Sequence, residues 1–231
     1  CRLSSSGDIA CALHARKFIA MSVRSLTASK GAINKPDGDG AIRLVCNIMC
    51  AGEDTNSDVY ENCAISLYSV AQTQYYNDVL LEQGLLKAIS RLAQHPECFG
   101  IAASILYLLS SDPQHRELVV LDSGARNLLF AIADQPTHSK SAIQFCAQTL
   151  FCLSRCAAES REVLISAGIV PLLLRLSGHD DEKVASPCSE ALRNLSSEGS
   201  SAIEEGTVSR LLAEALSYPR ERKSAAIIDV S

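Results

Sequence analysis

Apolar residues run along this chain in short phrases that share one phase. Five of them open on glycine: Gly40-AIRLVCNIM, Gly84-LLKAISRLA, Gly124-ARNLLFAIA, Gly168-IVPLLLRLS and Gly206-TVSRLLAEAL. The glycines recur at intervals of about 40 residues. Five places after each glycine stands an aliphatic column, Val45, Ile89, Leu129, Leu173 and Leu211. The column at plus eight reads Ile48, Leu92, Ile132, Leu176 and then Glu214, and the column at plus two reads Ile42, Leu86, Arg126, Val170 and Val208. Offsets of two, five and eight draw one face of a helix rather than a strand alternation. Each phrase predicts a helix of about ten residues.

The flanks of each phrase complete a unit. Before the glycine stands another short apolar helix, as in Val79-Leu80-Leu81, Leu118-Val119-Val120-Leu121 and Val163-Leu164-Ile165. Glycine between the two helices permits a sharp turn through positive φ, where a Cβ would clash. After the phrase comes a polar break, at 52–58, 94–97, 134–139 and 178–182. Longer helices follow, over Asp58–Ala71, Glu97–Ser110, Ser139–Arg155 and Glu182–Ser196. Asp112-Pro113 predicts a helix start with Asp as N-cap and Pro in the first turn, and Asp58 with Glu61 has the spacing of a capping box. Two irregularities stand out. Lys35-Pro36-Asp37-Gly38-Asp39 predicts a broken helix, and Pro187 predicts either a start at Ser186 or a kink. A helical period near 40 residues predicts an α-solenoid, one continuous core of stacked units.

Composition narrows the function classes. The 231 residues are 47 % hydrophobic but only 5 % aromatic, without tryptophan, which suits many small helix–helix contacts. Net charge is −5, and the densest basic run, Arg220, Arg222 and Lys223, is interrupted by Glu221. No basic stripe for nucleic acid is present, and no apolar run is long enough to insert in a membrane. The ten cysteines occupy helix-interior positions such as Cys46, Cys63, Cys146 and Cys188, without a CxxC or a finger-like His spacing. They read as reduced, buried thiols, which places the chain in the cytoplasm, a reducing compartment. His14, His95, His115, His138 and His179 are scattered, with His95, His138 and His179 in the polar breaks and expected to be solvated. No GxSxG, Walker loop or GxGxxG occurs. The expectation is no enzyme activity, no catalytic or metal-binding residue and no cofactor.

The unit of short helix, glycine turn, short helix, polar loop and long helix resembles the armadillo repeat. Gly168-IVPLLLRLSGHDDEKVASPCSEALRNLSS carries that family's Gly-aliphatic-Pro-x-Leu opening and its Ala-Leu-x-Asn-Leu ending, Ala191-Leu192-Arg193-Asn194-Leu195. The resemblance implies an all-α fold, a right-handed superhelix of three-helix repeats. Residues 1–231 divide at the glycines into units 1–39 (partial), 40–83, 84–123, 124–167, 168–205 and 206–231 (partial). Ile9–Ala28 and the terminal AAIIDVS read as long helices of incomplete units, so the expectation is a fragment of a longer repeat protein.

The resemblance also implies where a ligand lies. Armadillo proteins stack their third helices to line a concave groove, and some clamp a peptide backbone with one asparagine per third helix and a tryptophan four residues earlier. Asn can both donate to and accept from a peptide unit. Here the asparagine column reads Ser25, Ser69, Leu108, Cys152 and Asn194, and the tryptophan column reads Met21, Ile65, Ser104, Gln148 and Glu190. Only Asn194 matches. These ten residues are the expected protein-binding groove, and the alternative is that they only complete helix packing. With the clamp missing, the expected partner is a protein surface or helix rather than a basic import-type peptide. The resulting reading is a non-catalytic protein-interaction scaffold. The alternatives are a structural component of a cytoskeletal or ciliary assembly, and the substrate-binding region of a larger enzyme such as a U-box ubiquitin ligase.

Overall fold

The computed structural model describes residues 17, 19, 21–25, 38–51, 57–73, 76–135 and 139–197. The described residues are helical, without a strand. In chain order the helices are α1 (Gly38–Ala51), α2 (Ser57–Ala71), α3 (Asn77–Glu82), α4 (Leu85–Ser90), α5 (Phe99–Ser111), α6 (Pro113–Leu121), α7 (Ser123–Asp134), α8 (Lys140–Leu153), α9 (Ala158–Ser166), α10 (Ile169–Ser177) and α11 (Glu182–Ser197). Two 3-10 turns, Arg91–Gln94 and Pro96–Cys98, join α4 to α5.

Helices of like position stack on one another. The second helices α1, α4, α7 and α10 form one row, and the third helices α2, α5, α8 and α11 form another. The predicted columns are the reason. Val45, Ile89, Leu129 and Leu173 are all buried, as are Ile48, Leu92, Ile132 and Leu176. The third helices add Cys63, Leu67, Ala102, Leu106, Cys146, Leu150, Cys188 and Ala191 from the opposite side. One core thus runs the length of the described chain. Burying a Leu or Ile side chain contributes about 1.5–3 kcal/mol, and each unit buries its apolar faces against its neighbours.

Polar contacts obey the same neighbour rule. Lys17 pairs with Asp58 at 2.5 Å, 41 residues on. Arg43 Nε donates to Gln83 across 40 residues, and Arg175 to Asp134 across 41. Buried Arg116 donates to the Ser110 carbonyl at 3.1 Å and, across 39 residues, to the Arg155 carbonyl at 3.2 Å. A side chain reaches one unit forward or back because that is the only neighbour a solenoid provides.

The glycines divide into two kinds. Gly84 (φ 87°) and Gly168 (φ 86°) adopt the left-handed turn. Gly124 does not: it lies inside α7, whose N-cap Asp122 accepts from the Ala125 N–H at 2.7 Å. A Cβ on Gly124 would stand 2.6 Å from the Ser90 Cβ of the preceding unit, so glycine is needed there for close approach. Gly40 also lies within a helix, α1.

Other expectations shift by local chemistry. Asp112 does cap α6, accepting from Gln114 N–H at 3.0 Å with Pro113 in the first turn. Asp58 is no N-cap: α2 already starts at Ser57, and the Asp58 carboxylate faces Lys17 instead. Gly38 and Asp39 belong to α1, so the predicted break does not extend past residue 37. Helix α11 starts at Glu182 and runs through Pro187, which has no N–H to return to the Lys183 carbonyl. His95 is half-buried rather than fully solvated; it stacks on Tyr60 with centroids 4.0 Å apart. His138, the stretch 206–231 and most of the predicted helix over 9–28 lie outside the described residues.

Candidate binding surface on the third helices

Each third helix presents a face made of positions spaced by three and four. On α2 that face carries Glu61, Ile65 and Tyr68; on α5, Gly100, Ser104 and Tyr107; on α8, Gln144, Gln148 and Phe151; on α11, Ser186, Glu190 and Arg193. Two surface pockets open on it. A pocket of about 310 Å³ is lined by Tyr68, Gly100, Ile101 and Ser104, with Ser141 and Ala142 of α8. A second, of about 500 Å³, lies between α8 and α11, lined by Gln144, Phe145, Gln148, Lys183, Ser186 and Pro187.

The ten residues predicted for a groove fall into three groups. Met21, Ser25 and Glu190 are exposed. Ile65, Ser69, Leu108, Gln148, Cys152 and Asn194 are half-buried, and Ser104 is buried at 8 % exposure. Of the tryptophan-column residues, Ser104 lines the first pocket and Gln148 the second, whereas Met21, Ile65 and Glu190 line neither.

The asparagine column is turned toward the preceding unit. The Asn194 side-chain N–H donates to the Ser154 hydroxyl at 3.0 Å. The Cys152 thiol also faces the preceding unit, with the Ser111 side chain beside it, while the Ser111 hydroxyl donates to the Tyr107 carbonyl at 2.7 Å. Hydroxyls elsewhere are spent inside their own helices: Ser69 donates to the Ile65 carbonyl at 2.8 Å, and Ser104 to the Gly100 carbonyl at 2.7 Å. Gln148 makes no intramolecular hydrogen bond among the described residues.

Sequence reasoning passed over one row. The place just before the asparagine column reads Tyr68, Tyr107, Phe151 and Arg193. The three aromatics are half-buried, and Tyr107 meets Phe145 of the next unit at 5.7 Å between centroids. The Arg155 guanidinium stands 5.8 Å over the Phe151 ring. The signal was present in the glycine alignment, one column away from the one inspected.

Electrostatics differ between the two ends of these helices. At the N-terminal ends, two carboxylates are held by hydrogen bonds, while exposed Glu182 and Lys183 of α11 line the second pocket. Lys140 meets Asp181 at 3.2 Å, and hydrogen bonds from Gln144, from the Lys183 N–H and from Lys140 hold the Asp181 carboxyl at about 2. The Ser57 hydroxyl donates to Glu97 and lowers its pKa. At the C-terminal ends, Arg155 and Arg193 are exposed and have no ion-pair partner among the described residues.

The thiols offer no chemistry to this surface. Burial pushes Cys46, Cys63, Cys98 and Cys188 up to about 12 and Cys156 to about 11, and raises Cys146 further. A thiol that stays protonated is a poor nucleophile and metal ligand. Burial also raises half-buried Cys152, opposed by Ser111, Arg116 and Arg155. Among the described residues no three His, Cys, Asp or Glu side chains gather as a metal site, and no helix is long and apolar enough to cross a membrane.

Comparison with known proteins agrees with this geometry. Residues 158–197, which span α9 to α11, match the armadillo/beta-catenin-like repeat. No curated protein matches the chain in sequence. Among solved structures, it is similar to a designed armadillo repeat protein in complex with the peptide (KR)4, at TM-score 0.64 and 18 % identity over 93 % of this chain and 84 % of that one. A second designed armadillo repeat protein matches at TM-score 0.63 and 18 % identity, over 89 % and 87 % of the two chains. An engineered protein matches at 0.64 and 21 % identity, over 88 % and 81 %. The chain thus carries an armadillo repeat at residues 158–197 and folds as an armadillo-type right-handed α-solenoid of three-helix repeats.

Proposed function

We propose that this chain is a non-catalytic scaffold that binds partner protein on the face of its third helices. The observation that carries this reading is the placement of both pockets between successive third helices, the second of them lined by Gln148, whose amide makes no hydrogen bond among the described residues. A solenoid exposes a long surface in proportion to its core, and such surfaces serve recognition. The designed armadillo protein of similar fold was solved in complex with a peptide. The groove comprises Met21, Ser25, Ile65, Ser69, Ser104, Leu108, Gln148, Cys152, Glu190 and Asn194. Met21, Ser25, Ile65, Ser69, Leu108, Gln148 and Glu190 contact the ligand, while Ser104, Cys152 and the amide N–H of Asn194 support the wall.

The test is quantitative affinity capture with the whole protein beside a Gln148→Arg, Ser186→Arg variant that keeps its helical circular dichroism. Loss of the same partners from the variant alone supports the groove. Unchanged capture moves binding to another surface and removes this reading.

A further inference from the structure

We infer that Ser186 is a phosphorylation site for a proline-directed serine/threonine kinase, and that its phosphate closes the second pocket to the partner. The site stands on observations of its own; the consequence for binding rests on the groove reading above.

The site follows from the local backbone. Ser186-Pro187 is the only Ser-Pro or Thr-Pro pair in the 231 residues. It stands in the second turn of α11, and Ser186 is exposed. The Ser186 hydroxyl makes no hydrogen bond among the described residues, whereas Ser189 and Ser196 of the same helix donate to the Ala185 and Arg193 carbonyls. Its oxygen is therefore uncommitted. A residue before proline is disfavoured in the α region, and Pro187 supplies no N–H for the Lys183 carbonyl. Both effects weaken the same stretch, so residues 182–186 open more readily than they would without the proline. Once open, Ser186 takes the extended backbone that the proline favours, which is the form a proline-directed kinase binds.

The consequence follows from position and charge. In the transfer, Ser186 Oγ bonds to the γ-phosphorus of a nucleoside triphosphate, and the bond from that phosphorus to the β,γ-bridging oxygen breaks. The hydroxyl proton passes to the kinase's base, and the nucleoside diphosphate leaves. The phosphate brings a charge of about −1.5 to −2 at neutral pH. Ser186 lines the second pocket with Phe145, Gln148 and Lys183, so that charge and its bulk enter the pocket. Before phosphorylation the lining carries one acid, Glu182, and one cation, Lys183. A single ammonium offsets only part of the added charge. Along α11, exposed Glu182 stands four residues before Ser186 and exposed Glu190 four after. Like charges at that spacing repel, so the phosphate also strains the start of the helix. The first pocket has a different lining and keeps its character.

Incubation of the full chain with a purified mitogen-activated protein kinase and MgATP, followed by mass-spectrometric peptide mapping, tests the site. Phosphate is expected on Ser186 and is lost in Ser186→Ala. Pro187→Ala restores the helix hydrogen bond and removes the kinase's determinant, so it should lose the phosphate too. Circular dichroism confirms that both variants keep their helices. No phosphate on Ser186, or equal labelling of Pro187→Ala, overturns the inference and leaves the groove reading untouched. Affinity capture then compares the phosphorylated and unmodified chains beside the Gln148→Arg, Ser186→Arg variant. Loss of the same partners from the phosphorylated chain supports the switch. Capture that survives phosphorylation but not the arginine pair overturns the switch and keeps the groove. Capture blind to both overturns the groove reading and the switch with it.

Discussion

Asn194 donates its side-chain N–H to the Ser154 hydroxyl at 3.0 Å, bridging α11 to the end of α8 across 40 residues. The one asparagine that matches the family's peptide clamp therefore spends its donor on the neighbouring repeat. A double-mutant cycle of Asn194→Ala and Ser154→Ala should return a coupling of about 0.5–1.5 kcal/mol in urea unfolding. A coupling of zero would mean that the bond contributes nothing and that the amide is available to a ligand.

Glu117 performs a second inter-repeat task. Helix α9 begins after Ala157, a residue with no capping side chain. The Glu117 carboxylate of α6 accepts from the Ala157 N–H at 2.8 Å and from the Ser160 hydroxyl, capping the helix from the unit before. It also sets a negative charge at the positive end of the helix. Glu117→Ala should cost about 1–2 kcal/mol, and Glu117→Gln less, since it keeps an acceptor. Amide exchange at residues 158–162 should quicken in the Ala variant; a uniform change across the whole chain would argue against a local cap.

Gly124 and Ser90 form a steric pair. Gly124→Ala places a Cβ against Ser90 Cβ and should destabilise by about 1–3 kcal/mol. Ser90→Gly alone should cost up to about 1 kcal/mol through helix propensity. Together they should cost less than the sum, because the second change makes room for the first. Strict additivity of the thermal midpoints would show that Ser90 is not what Gly124 avoids.

The buried thiols tie stability to alkaline pH. In the unfolded chain a cysteine loses its proton near pH 8.5, whereas Cys46, Cys63 and Cys188 hold theirs until about 12. Between those values the unfolded state binds fewer protons than the folded one. Stability is therefore full below about pH 8.5 and falls as pH rises toward 12, by up to about 1.4 kcal/mol per pH unit for each buried thiol. Urea midpoints under reducing conditions should drop between pH 8 and pH 10. In a Cys63→Ala, Cys188→Ala variant the drop should be shallower, whatever its stability at neutral pH. A parallel fall in both proteins would assign the effect to other groups.

Much of the fold was legible because its repeat is written in apolar side chains. The plus-five and plus-eight columns bury where their spacing put them, since a helix face must be covered and only the next unit can cover it. Asp112-Pro113 was legible for a local reason: cap and helix lie within three residues. The start of α9 was not, because its cap comes from Glu117, 40 residues away. His95 looked like a loop residue until Tyr60, from another helix, proved to stack on it.

The sequence by itself determined the period, the helices and the buried columns, because each is a property of one helix and its immediate neighbours in the chain; which repeat glycines turn through positive φ was decided by packing, since Gly84 and Gly168 do and Gly40 and Gly124 do not. Tertiary structure alone decided which polar side chains remain for a ligand. Ser69 and Ser104 turn back on their own helices, Asn194 turns to Ser154, and Tyr68 lines the first pocket. Those outcomes depend on how one repeat rotates against the next. A rotation of a single residue position, about 100° around a helix, moves the exposed row from one column to its neighbour.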